Sequence, residues 1–581
     1  MSRDVKPLDK IKNSKLRLIT SFIKSSLKEI NPWQNIQILH TNIKTDVLAG
    51  ITVAIIALPL ALAFGEISQL GPEAGIWSAI VGGVIGGLFG GCIVGVSGPT
   101  APMASQLAIY MGAFLIGTTN EPDLVAAFSI IFLSGFILVI ISMFKISRLI
   151  HYLPYSVIAG FMCGIGVIVI LSQINSFLGI ETQQNIIGLT NNFKHTFQNI
   201  NFQALKVSLP CLIILFLWPW FQKKLSFLSN IPSALMALVL GSVIANFMNL
   251  DIAYIGEKMN NNDKSDIFLF YLPDFSRIRE FIGPAFILSG LAVIDSLLSC
   301  KVADNLIGIR HNSDRETFGQ GMANMASGLL GGISTATATT QTVANIKFGA
   351  KTPLATIMKG LTLLSILYGL GFLVEAIPLS CLAAILFKVG IEILDYRILP
   401  VIRKIPLRDL LTFIIVLCIT VYQDIMIAIV IGLIFAFIFS IKEIVLTIRS
   451  NYNHKIISAS ELNLNPDEKI YKELISLPFI ILRPQGPLFF GALESLLNSY
   501  ASAPKHEILI IDMSKVNMID LSGIYLLEDL VKISKNKHIN SFVINATKDV
   551  KFILEKIGFI KNIGTKHFGD SLKSIIPIIK Y

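Results

Sequence analysis

The sequence predicts a polytopic α-helical membrane protein that ends in a small α/β domain, and three observations carry that prediction. Of its 581 residues, 53% are hydrophobic and 15% charged, with a mean hydropathy of +0.68; soluble domains carry about 25% charged residues. Long apolar runs recur from residue 47 to residue 446. From about Lys469 the pattern changes to short apolar strands alternating with segments of helical spacing.

In chain order, residues 1–45 form a basic segment with Arg3, Lys6, Lys10, Lys12, Lys15, Arg17, Lys24 and Lys28. It reads as a positive flank and surface helix against membrane lipid, on the cytoplasmic side. The start MSRDVKPLDK is too charged for a secretory signal. Seven apolar segments follow, near 47–64, 75–93, 99–115, 124–144, 155–177, 206–221 and 232–249. Beyond a polar loop with Asp263, Lys264, Asp266 and Asp274 come seven more, near 282–300, 317–331, 336–348, 354–376, 378–390, 410–424 and 425–446. An odd number in each half inverts the second half relative to the first, so fourteen spans predict a 7+7 inverted repeat. Lys145, Arg148, Lys223, Lys224, Arg310, Arg315, Arg397, Arg403, Lys404, Arg408, Lys442 and Arg449 then all fall on the inner side. Both termini are expected in the cytoplasm.

Two stretches break the apolar pattern. Gly331–Phe348, GGISTATATTQTVANIKF, holds five threonines between Thr335 and Thr342, and Gln341. It is too short and polar to span a bilayer, which takes about 20 apolar residues, and reads as a half-helix beginning inside the membrane. Gly86–Gly95 followed by Ser97-Gly98-Pro99-Thr100-Ala101-Pro102 has the same grammar, with a short helix running on to about Met111. Broken backbone at that depth survives where it is buried in protein or lines water. Paired interruptions in the two halves point to a transporter's substrate site.

In the last part, Phe479–Leu482, Ile508–Ile511 and Ser541–Ile544 read as strands, and 522–534 and 549–557 as helices. Cys92, Cys163, Cys211, Cys300, Cys381 and Cys418 lie in or beside apolar runs without a CxxC pair, and the eight histidines lack metal-ligand spacing. They imply neither disulfide nor structural metal. No arginine-aromatic pattern suggests nucleic acid. Gly164–Gly166 lies in a membrane helix with no strand before it, and no triad or Walker A run occurs. The sequence predicts no enzyme and no organic cofactor.

The motifs DVLAGITVAIIALPLALAFG at 46–65, SGPTAPM at 97–103, IDSLLSCKVADN at 294–305 and NIKFGAKTPLA at 345–355 together resemble the SulP family of inorganic anion transporters. KVNMIDLSG at 515–523 resembles the signature of the STAS domain that closes most of these chains. The resemblance covers nearly everything after the N-terminal flank. It implies a transporter domain over 46–448, with core and gate parts that move against each other, a STAS domain over 469–581, and a homodimer.

Asp295 is the sharpest single residue. A carboxylate at a helix centre costs about 2.5–3.5 kcal/mol to insert and marks function by default; the bland alternative is an aspartate near the helix end, paired with Lys301 or protonated. Ser299 lies one turn on, sharing its face. With backbone carbonyls near Ala336 and Thr337, these oxygens make a site suited to Na⁺. The resemblance implies the same, since sodium-coupled bicarbonate transporters of the family bind Na⁺ at the matching aspartate and a hydroxyl residue. It also implies that the anion sits between the half-helix N-termini, lined by Phe64, Thr100, Ala101, Thr339, Thr340 and Gln341. Animal members of the family place an arginine where this chain has Gln341, and that difference favours a bound cation offsetting the anion's charge. As an alternative, hydroxyl-rich helices simply pack closely. Glu66, ending the first span, is a candidate proton relay or a residue at an aqueous mouth. Ser522 matches the STAS loop phosphorylated in bacterial anti-sigma antagonists, and otherwise reads as the cap of the helix that follows. The expectation is a secondary transporter of sulfate or bicarbonate in a bacterial-type inner membrane, symporting Na⁺ or H⁺ by alternating access. An anion channel, an exchanger or a sensor signalling through STAS stands as the alternative.

Overall fold

The computed structural model describes residues 31–116, 121–147, 154–180, 200–224, 231–256, 270–369, 375–394, 398–422, 455–458, 478–489 and, apart from positions 505 and 537, 503–579, with a few isolated positions between. The chain divides into two compact units. The first comprises 1–148, 168–304 and 310–391; the second comprises 149–167, 305–309 and 392–581.

The first unit begins with α1 (Ile43–Ile67) and α2 (Pro72–Phe89), whose backbones touch. A Cβ on Gly75 would stand 1.8 Å from the carbonyl oxygen of Ala61, so only glycine permits this approach. Residues Gly82–Gly86 widen α2 into a π-turn, a feature that recurs at functional sites. Then β1 (Ser97–Pro99) leads directly into α3 (Ala101–Ala113). Next come α4 (Leu124–Met143), α5 (Tyr155–Phe177), whose residues up to Val167 belong to the second unit, α6 (Phe202–Lys224) and α7 (Ser233–Phe247). After α8 (Ile278–Ile307) and α9 (Ser313–Leu329), β2 (Thr335–Thr337) leads into α10 (Thr339–Lys347). The unit closes with α11 (Leu354–Gly369) and α12 (Leu379–Ile393).

Among the described residues, six helices are long and apolar enough to cross a membrane. Both broken segments end in the short helix the sequence predicts; the three-residue strand before each helix is a feature the sequence reading did not include. The segment expected at 425–446 lies largely outside the described residues.

In the second unit, five strands run in the order β3 (Lys455–Ser458), β4 (Phe479–Arg483), β5 (Ile508–Asp512), β6 (Asn540–Ile544) and β7 (Phe568–Gly569). All pairs are parallel except β3–β4. The three central strands alternate between two apolar clusters, one on each face. Ile480, Leu482, Leu509, Ile511 and Val543 point one way; Phe479, Ile481, Ile508, Ile510, Phe542 and Ile544 point the other. Continuous apolar runs are what parallel strands covered on both faces require. The sheet's first strand lies before residue 469, where the change in pattern places the start of the domain. Isolated Lys455–Ser458 carries too short a signal to read alone.

Helices α13 (Leu407–Tyr422) and α14 (Leu521–Asn536) belong to this unit. The first cluster also takes in Ala159, Cys163, Ile398, Ile405 and Phe413, so the start of α5 and α13 pack on the α14 face of the sheet. Leu521 N–H donates to Asp409 Oδ2 (3.2 Å) and Tyr155 N–H to Ser522 Oγ (3.0 Å). The rings of Tyr155 and Tyr525 lie 4.4 Å apart.

Candidate functional site

In the first unit β1 and β2 pair antiparallel, Ser97 with Thr337, Gly98 with Ala336 and Pro99 with Thr335. Because the strands run oppositely, α3 leaves one end of the ribbon and α10 the other. Each therefore brings its N-terminus, worth about +0.5 of charge, against a ribbon about 10 Å long. Thr100 and Ala338 precede the two helices without closing a side-chain cap. The amides of Ala101, Met103, Thr339, Thr340 and Gln341 then fall among the first positions that no intrahelical carbonyl serves; Pro102 has no amide hydrogen. Thr339 and Thr340 are exposed, directly after eight buried residues.

What fixes the ribbon is a polar stripe on α9. Glu316, Gln320 and Asn324, spaced by four, share one helix face and are all buried. Asn324 Oδ1 accepts from Thr335 N–H (2.8 Å) and from Ser334 Oγ (2.7 Å), while its amide donates to Thr335 O (2.9 Å). Gln320 Nε2 donates to Ser97 Oγ (2.6 Å) and Thr337 Oγ1 (2.9 Å), so one amide ties both strands. Glu316 accepts from Gly91 N–H (2.8 Å), Cys92 N–H (2.9 Å) and the Thr337 hydroxyl. Buried backbone polar groups in apolar surroundings cost about 1–3 kcal/mol each when unmet, and α9 meets them here. Within 317–331, taken from the sequence as an apolar span, the polar residues at 320 and 324 were the signal of this role.

The outer edges of the ribbon face different partners. The register, with Ala338 N–H donating to Val96 O (2.8 Å), makes Gly98 and Ala336 a hydrogen-bonded pair. Ala336 thus spends its carbonyl on Gly98, and is the less available of the two carbonyls expected at a cation site. Thr337 turns its backbone outward to α8, where its N–H donates to Ser296 Oγ (3.1 Å). On that helix Ser299 Oγ and Thr339 Oγ1 are hydrogen-bonded at 2.6 Å. Asp295, buried, faces the side chain of Thr100; among the described residues, Asp295 Oδ2 and Thr100 Oγ1 have no partner within hydrogen-bonding distance. Asp295, Ser299, Thr337, Thr339 and Thr100 therefore surround the ribbon, with Ala101 and Gln341 buried at its helix starts. On the β1 edge, Ser97 O accepts from Lys359 Nζ (2.9 Å), which also donates to Ala79 O (3.0 Å). Lys359 is completely buried in α11. A lysine inside the apolar run 354–376 was the sign of it.

Phe64 is buried in α1, which packs on α3, α10 and β1. Glu66, one residue before the end of α1, is half-buried at the turn into α2. Ser522 does not cap the helix it belongs to. The cap is Asp520, whose Oδ1 accepts from Gly523 N–H (2.7 Å), while Ser522 is buried and turned to Tyr155.

Comparison with known proteins agrees with this architecture. Residues 43–416 match the sulfate permease family and residues 471–575 the STAS domain. The chain is 32% identical over 531 residues to the bicarbonate transporter BicA of Picosynechococcus sp., spanning 90% of this chain and 92% of that one. It is 28% identical over 543 residues to the putative sulfate transporter YvdB of Bacillus subtilis, spanning 90% and 96%. The solved transmembrane domain of a cyanobacterial BicA superposes with a TM-score of 0.60 at 32% identity, covering 68% of this chain and 98% of that domain. SLC26A9 shares the fold, with a TM-score of 0.60 at 16% identity over 100% of this chain and 97% of that one. The chain is an integral membrane transporter that belongs to the sulfate permease family and carries a C-terminal STAS domain.

Proposed function

We propose that the protein accumulates a small inorganic anion, sulfate or bicarbonate, by alternating access driven by a Na⁺ or H⁺ gradient. The observation that carries this reading is Asp295, whose Oδ2 has no hydrogen-bond partner among the described residues, beside two uncapped helix N-termini. The anion lies against the free amides of Ala101, Thr339, Thr340 and Gln341, with the Thr100 hydroxyl and the Phe64 ring as further walls; helix N-termini bind anions without a cationic side chain. The cation lies with Asp295, Ser299 and the Thr337 carbonyl. Carboxylate, hydroxyl and carbonyl oxygens suit a hard ion, and its charge offsets the anion's. Bound together, the cation and bicarbonate are neutral, and the cation and sulfate carry one charge where sulfate alone carries two.

The reading extends to fourteen spans arranged as a 7+7 inverted repeat, a core and a gate part, a homodimer, and cytoplasmic termini in an inner membrane. The related bicarbonate and sulfate transporters support the choice of anions.

Purified protein in liposomes should take up labelled bicarbonate or sulfate against its gradient when Na⁺ is high outside. Uptake driven by a proton gradient alone would assign the coupling to H⁺ and turn attention to Glu66 or a protonated Asp295. Currents far above carrier turnover, or no accumulation under either gradient, would overturn the proposal.

A further inference from the structure

Lys359 has no part in the cation site, yet it is the most deeply placed positive charge near the ribbon. Its Nζ lies on the β1 edge, bonded to the carbonyls of Ser97 and Ala79, while α8 with Asp295 lies on the β2 edge. None of the ion pairs among the described residues includes it. A buried ammonium without a carboxylate is costly unless something else needs the charge.

A further oxygen lies nearby. A methyl group placed on Gly98 would stand 3.0 Å from Lys359 Nζ and 3.9 Å from Gln341 Oε1. Both atoms therefore lie close to the same side of Gly98. Among the described residues Gln341 Oε1 is buried without a hydrogen-bond partner, so it is not bonded to the ammonium. The Ser97 and Ala79 carbonyls take two of the three N–H groups of Lys359. Gln341 is the third residue of α10, beside amides left free at that helix start, so the ammonium lies next to a residue expected to line the anion subsite.

Resting on the transport reading above, we propose that Lys359 is the fixed counter-charge of the anion subsite and sets its preference for anion charge. It acts from behind Gly98, without touching the ion. A side chain at Gly98 would press on the ammonium, its Cβ standing 3.0 Å from Lys359 Nζ. Asp295, the coupling cation and Lys359 together carry one net positive charge, which favours a monovalent species such as bicarbonate over a divalent one such as sulfate.

The test is saturable uptake of labelled bicarbonate, with sulfate as competitor, by the full-length protein in liposomes. Lys359→Gln keeps donors for the Ser97 and Ala79 carbonyls and removes the charge. Its KM should rise about tenfold or more with a smaller change in kcat, since a unit charge a few ångströms away in a partly screened interior exceeds a factor of ten. Lys359→Met combined with Gln341→Lys moves the charge across Gly98 and should restore KM to within about threefold of wild type by the same electrostatic argument. Gly98→Ala keeps Lys359 and displaces its ammonium, so it should raise KM even if the lysine variants do not fold. Unchanged KM in Lys359→Gln or in Gly98→Ala, or a raised KM in folded Lys359→Met that the relocated charge does not rescue, would overturn the role of Lys359 and leave the transport reading standing. Wild-type protein that moves neither anion would overturn both.

Discussion

The ribbon of β1 and β2 and the five-stranded sheet of the second unit both bury their backbone, by opposite means. In the sheet, neighbouring strands satisfy one another and apolar side chains fill both faces. In the ribbon, two strands of three residues satisfy only part of their backbone; Asn324, Ser296 and Lys359 take up outward backbone groups, and Gln320 ties the Ser97 and Thr337 hydroxyls. The difference teaches where function can reside. A sheet saturated by its own strands has nothing left to offer a ligand. A ribbon held by side chains ends in two helices whose first amides stay open, at a depth where every unmet group is costly.

The comparison breaks most readily at Asn324. Asn324→Leu removes the partners of Thr335 N–H, Thr335 O and the Ser334 hydroxyl at once, and should cost about 3 kcal/mol or more. Thermal melting of the purified protein would show it, with loss of all anion uptake; Asn324→Leu protein of wild-type stability would show that the stripe is dispensable. In the sheet the corresponding damage is apolar. Leu509→Ala, in the centre of β5, should cost about 2–5 kcal/mol, seen as faster hydrogen exchange across β4, β5 and β6. The anion KM should stay unchanged in protein that remains folded. The smallest effect belongs to the contact between the two kinds of structure within the second unit. Ser522→Ala removes the acceptor of Tyr155 N–H and should cost about 1 kcal/mol, with faster exchange confined to the first turn of α5. Because Ser522 is buried there, a phosphate on it would have to displace Tyr155, and a phosphomimetic Ser522→Asp should accelerate that exchange further.

Much of this was legible from residue types. The helix at Tyr155–Phe177 has the bounds its apolar run predicts, and threonine with glycine marked both broken segments because such backbone needs small residues and hydroxyls. Asp295 stood out for its charge. Other residues were masked by their surroundings. Glu316 sits just outside an apolar stretch, and Gln320 and Asn324 within it are polar but uncharged, so they mark a polar stripe without saying what it holds. Their role depends on which strand the helix meets, a tertiary fact. Lys359 was visible as a charge in a span, but its importance follows only from the carbonyls of Ala79 and Ser97, distant in sequence. Ser522 was misplaced as a cap because Asp520, two residues earlier, competes for the same amides and wins.

The central claim is that Asp295 couples a cation to an anion held by the two helix N-termini. Asp295→Asn in liposomes tests it most directly, by comparing gradient-driven accumulation with exchange of labelled for unlabelled anion at equal concentrations. The account predicts that accumulation is lost while exchange persists, because the amides that hold the anion are untouched. Full accumulation by Asp295→Asn under the same cation gradient would contradict it.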